Sequence, residues 1–263
     1  MSEASTDLET ETTNPEPENE SGKMSFLEHL DELRKRLVHI AAYIAIGCIV
    51  AWFFHKQIFD FLSAPLTRSL PKGQKLVFTG ITDPFTVYMK VAFLAGIFLT
   101  IPLTLYEVWK FIAPGLYRKE KRYIVPFLAS SLFLFLAGAS FCYYIVLPAS
   151  FKILIELGSS WDPMITIGAY LDLTNMMLLG FGLIFEMPVI VAFLALFGLV
   201  SAKFLWNKFS YSFVGIVILA ALISPTGDAF NLLIWSAPMV LLYVISIGVA
   251  YIMGSRRKKK GLT

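Results

Sequence analysis

The chain has 263 residues, 57% of them hydrophobic and 16% charged, with a formal net charge of +3. Soluble domains average about 25% charged and 45–50% apolar residues, so this balance excludes a water-soluble globule, and so small a net charge calls for no nucleic-acid partner. Cys48 and Cys142 sit in apolar runs, and no phosphate-binding loop or Gly-x-Ser-x-Gly elbow occurs, which excludes a disulfide scaffold, a structural zinc site, an ATPase built on that loop and a hydrolase built on that elbow.

Residues 1–23 hold seven acids against one base, Lys23, and almost no large aliphatic side chains. Such a segment buries too little apolar surface to offset its ordering entropy, so a disordered acidic tail is expected. It is the opposite of a signal peptide, which begins basic. Ser25-Phe-Leu-Glu28 is a capping box opening an amphipathic helix, with Phe26, Leu27, Leu30, Leu33 and Leu37 at helical spacing. This helix is expected at the membrane surface, before the first span.

Six transmembrane spans follow, at about Leu37–Phe54, Phe85–Tyr106, Ile124–Leu147, Leu173–Phe197, Phe209–Ile223 and Leu232–Met253. The signal is strong: 29 consecutive residues between Arg122 and Lys152 carry no charge, nor do 27 between Asp228 and Arg256. The fifth span would be only about 22 Å long against a hydrocarbon core of about 30 Å, so it must thin the bilayer or sit behind neighbours. The first outward connection, 55–84, is expected to carry short helices. In the second, about 148–172, Gly158-Ser-Ser-Trp-Asp-Pro163 is a turn-rich stretch. A basic tail, 254–263, closes the chain.

Lysine and arginine divide unevenly between the two sides. One side receives Lys23, Arg34 to Arg36, Lys110, Arg118 to Arg122, Lys203, Lys208 and the cluster from Arg256 to Lys260. The other receives only Lys56, Arg68, Lys72, Lys75 and Lys152. The positive-inside rule then puts both termini in the cytoplasm.

The most informative side chain is Glu186, in Phe185-Glu-Met-Pro188 near the middle of the fourth span. An intramembrane carboxyl is costly and must face protein or a water-filled hollow. Pro188 also removes the amide that would bond the carbonyl of Ile184. Lys90, a few residues into the second span, is read as structural, snorkelling outward. Asp228 precedes the sixth span and would serve equally as its N-cap. Glu32 has Arg36 four residues on, a sufficient partner without any ligand. Glu120 stands among Arg118, Lys119, Lys121 and Arg122, a basic interfacial loop suited to anionic lipid headgroups. On spacing alone neither acid reveals a function.

Three segments together resemble one family: His29-Leu-Asp-Glu-Leu-Arg-Lys-Arg-Leu37, Phe111-Ile-Ala-Pro-Gly-Leu-Tyr-Arg-Lys-Glu-Lys-Arg122 and Phe185-Glu-Met-Pro188. In this order on six spans they are similar to TatC, the receptor subunit of the twin-arginine protein translocase. The resemblance runs from about Met24 to Met253. It implies an all-α membrane bundle, concave like a cupped hand, with Glu186 facing the hollow. It also implies that Glu32 and Glu120, with Arg34 and Phe111 nearby, bind the paired arginines of signal peptides on folded cargo. Carboxylates take guanidinium bidentately, which lysine cannot reproduce. The partners implied are TatA- and TatB-like single-span subunits and further TatC copies, with transport drawing on the proton-motive force across a bacterial inner membrane.

Two departures stand out. The last outward turn reads Pro225-Thr-Gly-Asp228 where the family usually has Pro-Pro-Asp, and Leu232 stands where a glutamine is usual. A polar contact from Asp228 toward a partner helix is therefore either lost at Leu232 or moved to Asn231. The rival reading is a proton-coupled exporter of small solutes with Glu186 as its titrating group. An enzyme is not expected, since no nucleophile–base or metal set is present, and neither is a cofactor.

Overall fold

A bilayer offers no water to bond main-chain amides, so apolar runs of this length satisfy themselves as helices. The computed structural model describes residues 26–68, 70, 74, 76–112, 124–158, 160–161, 164–223 and 229–259. The acidic tail 1–23, Ser25 of the capping box and residues 260–263 of the basic tail lie outside the described residues, as does part of the 158–163 turn.

The described residues form α1 (Phe26–Trp52), α2 (His55–Thr67), α3 (Asp83–Ile112), α4 (Ile124–Phe141), α5 (Leu147–Leu157), α6 (Ile167–Ile184), α7 (Met187–Leu196), α8 (Ala202–Asn207), α9 (Phe209–Ile223) and α10 (Ala229–Lys259). Five stretches are long and apolar enough to cross a membrane: Leu27–Trp52, Asp83–Ile112, Ile124–Leu157, Ile167–Leu196 and Leu232–Ser255. A shorter apolar helix, Phe209–Leu222, is the sixth. Large apolar side chains such as Ile49, Phe93, Phe133, Ile190 and Leu241 are exposed on the protein itself, the surface a lipid-embedded bundle presents. This is an all-α membrane protein.

The amphipathic segment and the first span are one uninterrupted helix, α1. It packs antiparallel on α3, and the two meet at glycines. A Cβ on Gly47 would lie 2.7 Å from the carbonyl oxygen of Gly96, and one on Gly96 would lie 2.6 Å from the amide nitrogen of Cys48. Small residues let transmembrane backbones approach this closely, so the crossing is set by the absence of side chains.

Helix α2 is held by two tyrosines against the end of the bundle where α1 finishes. Pro65 cannot donate to the carbonyl of Phe61, one turn back. Tyr143 donates to that carbonyl instead, at 2.6 Å, and Tyr170 of α6 donates to the next one, Leu62. Tyr143→Phe should therefore lower stability by about 1–2 kcal/mol, measured by thermal unfolding in detergent, because it leaves the Phe61 carbonyl short of a donor. A variant melting with the wild type would show that this bond holds nothing. The connections before α3 and before α6 are also joined: Val77 N–H donates to Ile165 at 3.1 Å and Val77 C=O accepts from Ile167 at 2.9 Å.

The third span continues beyond Leu147. A π-helical turn, Cys142–Val146, joins α4 to α5, with Pro148 in the first turn of α5, and the helical run ends at Leu157. The fourth span is broken where Glu186 stands. Glu186 N–H donates to Leu183 at 3.1 Å, and its carbonyl accepts from Val189 and Ile190, each at 3.0 Å. Pro188 falls in the first turn of α7, where a missing amide costs nothing. The fifth span, α9, has 15 residues, the short helix expected from the sequence. Tyr243 of α10 fixes its position: the phenol donates to the Leu205 carbonyl of α8 and accepts from Ser212 of α9, both at 2.9 Å. Lys90 does not stand alone but forms an ion pair with Asp172 of α6.

Candidate functional site

At the end of the bundle where α1 begins, five polar or aromatic residues of α1 recur at alternating three- and four-residue steps: His29, Glu32, Arg36, His39 and Tyr43. That spacing keeps them on one stripe, and the stripe runs along the last turns of α3. Arg36 is its centre. Its Nη1 donates to Glu107 Oε2 at 2.8 Å and its Nη2 to Glu32 Oε1 at 3.0 Å. Glu107 also accepts from the Tyr43 hydroxyl at 3.4 Å and lies 3.8 Å from His39 Nδ1. One guanidinium thus bridges two carboxylates from different helices.

The two acids are unequal. The Glu107 side chain is 4% exposed and surrounded by three groups, whereas Glu32 is 15% exposed. Glu32 Oε2 is buried and has no hydrogen-bond partner, and the same holds for Arg36 Nε. Beside them opens a polar depression of about 580 Å³ lined by Glu28, Asp31, Glu32, Lys35, Arg36 and His39. Phe111 stacks on His29, their centroids 4.3 Å apart, one turn before Glu32.

Glu32 and Phe111 are therefore brought together at one end of the α1–α3 pair. Arg34 is exposed and sits two residues from Glu32, a rotation of about 200° around the helix, so it faces away from the stripe. Glu120 and most of its motif, 113–122, lie outside the described residues, as does Asp228; Asn231 falls in the first turn of α10. The residue that sequence reasoning missed is Glu107. A second span ending at Tyr106 leaves it just outside the membrane, as one more interfacial acid. The signal that could have found it is an acid within a span-length apolar helix, which needs a partner.

The second polar locus is Glu186, 8% exposed at the α6–α7 break. Ser131 of α4, itself buried, hydrogen-bonds its carboxyl, and Oε1 is left buried without a partner. Among the described residues, no group of His, Cys, Asp and Glu could hold a metal ion.

The profile of the family described as Sec-independent protein translocase protein (TatC) matches residues 28–238. The TatC of Koribacter versatilis is 48% identical over 240 residues, covering 90% of this chain and 89% of its own length. That of Escherichia coli is 36% identical, over 84% of this chain and 86% of its own. A crystal structure titled as the twin-arginine translocase receptor TatC superposes with a TM-score of 0.77 at 34% identity, covering 86% of this chain and 99% of that one.

The chain belongs to the TatC family.

It is a TatC-type subunit of a Sec-independent protein translocase, which decides between the two readings of Glu186 against a small-solute exporter. The match to the TatC profile spans Glu32, Glu107, Glu120, Glu186 and Asp228 alike.

Proposed function

We propose that this TatC-family protein is a non-enzymatic receptor for twin-arginine signal peptides, with Glu32 and Glu120 as the arginine-reading carboxylates. The observation that carries the reading is the Glu32 carboxylate. One of its oxygens already holds a guanidinium, and the other is unpartnered beside an open polar depression. A planar fork fits such a carboxylate better than an ammonium does. Phe111, stacked on His29 one turn away, would flank the peptide; Arg34 faces away from Glu32 and would meet it from the opposite side of α1. Both termini and this rim face the cytoplasm of a bacterial inner membrane, as the lysine and arginine distribution supports. The apolar part of the signal peptide then enters the bundle toward Glu186. Its arrival changes how TatA- and TatB-like single-span helices and further copies of the chain pack near the short fifth span and the Asp228–Asn231 turn, with the proton-motive force supplying the work.

The test is binding of twin-arginine and twin-lysine peptides to the purified full chain in detergent. Glu32→Ala should weaken the twin-arginine peptide about ten- to a hundredfold, the loss of one charge-assisted contact of roughly 1.5–3 kcal/mol, and Glu120→Ala similarly. A wild type that binds both peptides equally would overturn the receptor reading.

A further inference from the structure

A receptor for arginine that already carries an arginine in its site needs an account of that occupant. Arg36 is held from two sides of different strength. Glu107 is buried, hydrogen-bonds Nη1 at 2.8 Å and is itself steadied by Tyr43 and approached by His39. Glu32 touches Arg36 through one oxygen at 3.0 Å and keeps the other without a partner. Breaking the contact to Glu32 therefore leaves the Arg36 charge compensated by Glu107, and a buried unpaired charge, the usual obstacle to opening a partly buried ion pair, does not arise.

We propose that Arg36, anchored by Glu107, is a built-in competitor for the arginine-reading carboxylate of Glu32, and that Glu107 is the positioning residue that sets how readily it yields. This rests on the receptor reading of Glu32. An incoming guanidinium replaces the Arg36 contact with a two-point fork and also reaches Oε2. An ammonium offers a point charge and gains little over the occupant it displaces. Competition with a tethered arginine lowers both affinities by the same factor, so the preference for arginine comes from the fork and Arg36 sets the absolute strength of binding. Without the Glu107 charge, Arg36 has one carboxylate left to pair with and collapses onto Glu32.

The experiment measures Kd of twin-arginine and twin-lysine peptides on the full chain in detergent, for wild type, Glu32→Ala, Glu107→Gln, Arg36→Lys and the double variant Arg36→Met/Glu107→Gln. Glu107→Gln keeps the shape and an acceptor, and should weaken the twin-arginine peptide about tenfold. The double variant removes competitor and anchor together and should restore twin-arginine binding to wild-type strength or better, with the arginine-to-lysine ratio kept. Arg36→Lys leaves Glu107 a cation that cannot bridge to Glu32, and should tighten both peptides by the same factor; this single variant decides the matter if the double does not fold. A Glu107→Gln variant that binds like wild type, a double variant as weak as Glu107→Gln, or an Arg36→Lys variant that binds the twin-arginine peptide no tighter than wild type each overturns the proposal. Failure of the receptor reading is separate, since there Glu32→Ala leaves the peptide preference untouched.

Discussion

Glu186→Ala is expected to reduce transport of a folded cargo about tenfold or more while leaving twin-arginine peptide affinity within about twofold, because the deletion removes a buried, hydrogen-bonded carboxyl far from the rim. Alanine also strips the Ser131 hydroxyl, 2% exposed, of its partner inside the bundle. The α6–α7 break should survive, since Pro188 and the main-chain bonds of residue 186 make it. Glu186→Gln separates two roles. Retained transport in that variant means a neutral hydrogen-bonding side chain is enough; loss equal to alanine means the proton matters. Both are read from export of a reporter cargo alongside peptide binding, and a collapse of peptide binding in Glu186→Ala would end the division of labour between rim and interior.

Gly96→Leu should be more damaging still. Its Cβ would sit 2.6 Å from the Cys48 amide nitrogen and 2.8 Å from its Sγ, so the clash is with main chain that has nowhere to go. Overpacking usually costs about 1–3 kcal/mol, and a contact with backbone belongs at the top of that range or beyond it. The expected result is a marked fall in melting temperature in detergent. Peptide affinity should fall with it, because the Arg36–Glu107 pair lies on the same α1–α3 seam. A Gly96→Leu protein that melts with the wild type would mean the two helices are free to separate, and that their crossing does not position the rim.

Much of this architecture was legible from residues alone, for identifiable reasons. Charge-free runs set the spans, and the bounds of α9, Phe209–Ile223, coincide with those expected because Lys208 and the turn after Ile223 mark its ends. Pro188 marked the missing amide opposite Ile184, whereas the break itself, between Ile184 and Met187, was not expected within Leu173–Phe197. The sequence places the third span at Ile124–Leu147, just before Pro148. The helix runs on to Leu157, with Lys152 paired to Glu156 four residues later at 3.9 Å, because Pro148 falls in the first turn of α5, where a missing amide is tolerated. Glu32 was legible with its neighbour Arg36, a local pair. Glu107 was not, because its partner lies 71 residues away and only the Gly47–Gly96 crossing brings the two helices into register. Local spacing reports what a helix does to itself, and Glu107 is explained by what another helix does to it.

The unbroken length of α1 has a mechanical meaning. From Glu32 to the glycine crossing at Gly47 the helix spans about 22 Å, and from Gly47 to Trp52 about 8 Å. With no hinge in Phe26–Trp52, a sideways pull on the rim turns the rod about that crossing as a fulcrum. The far end then moves the opposite way through about a third of the distance. Trp52 is stacked on His55 at the start of α2, so the short arm of the lever ends on the helix that caps the other side of the bundle. A backbone shift of a couple of ångströms at Glu32 would therefore reach Trp52 as a sub-ångström movement in the opposite sense.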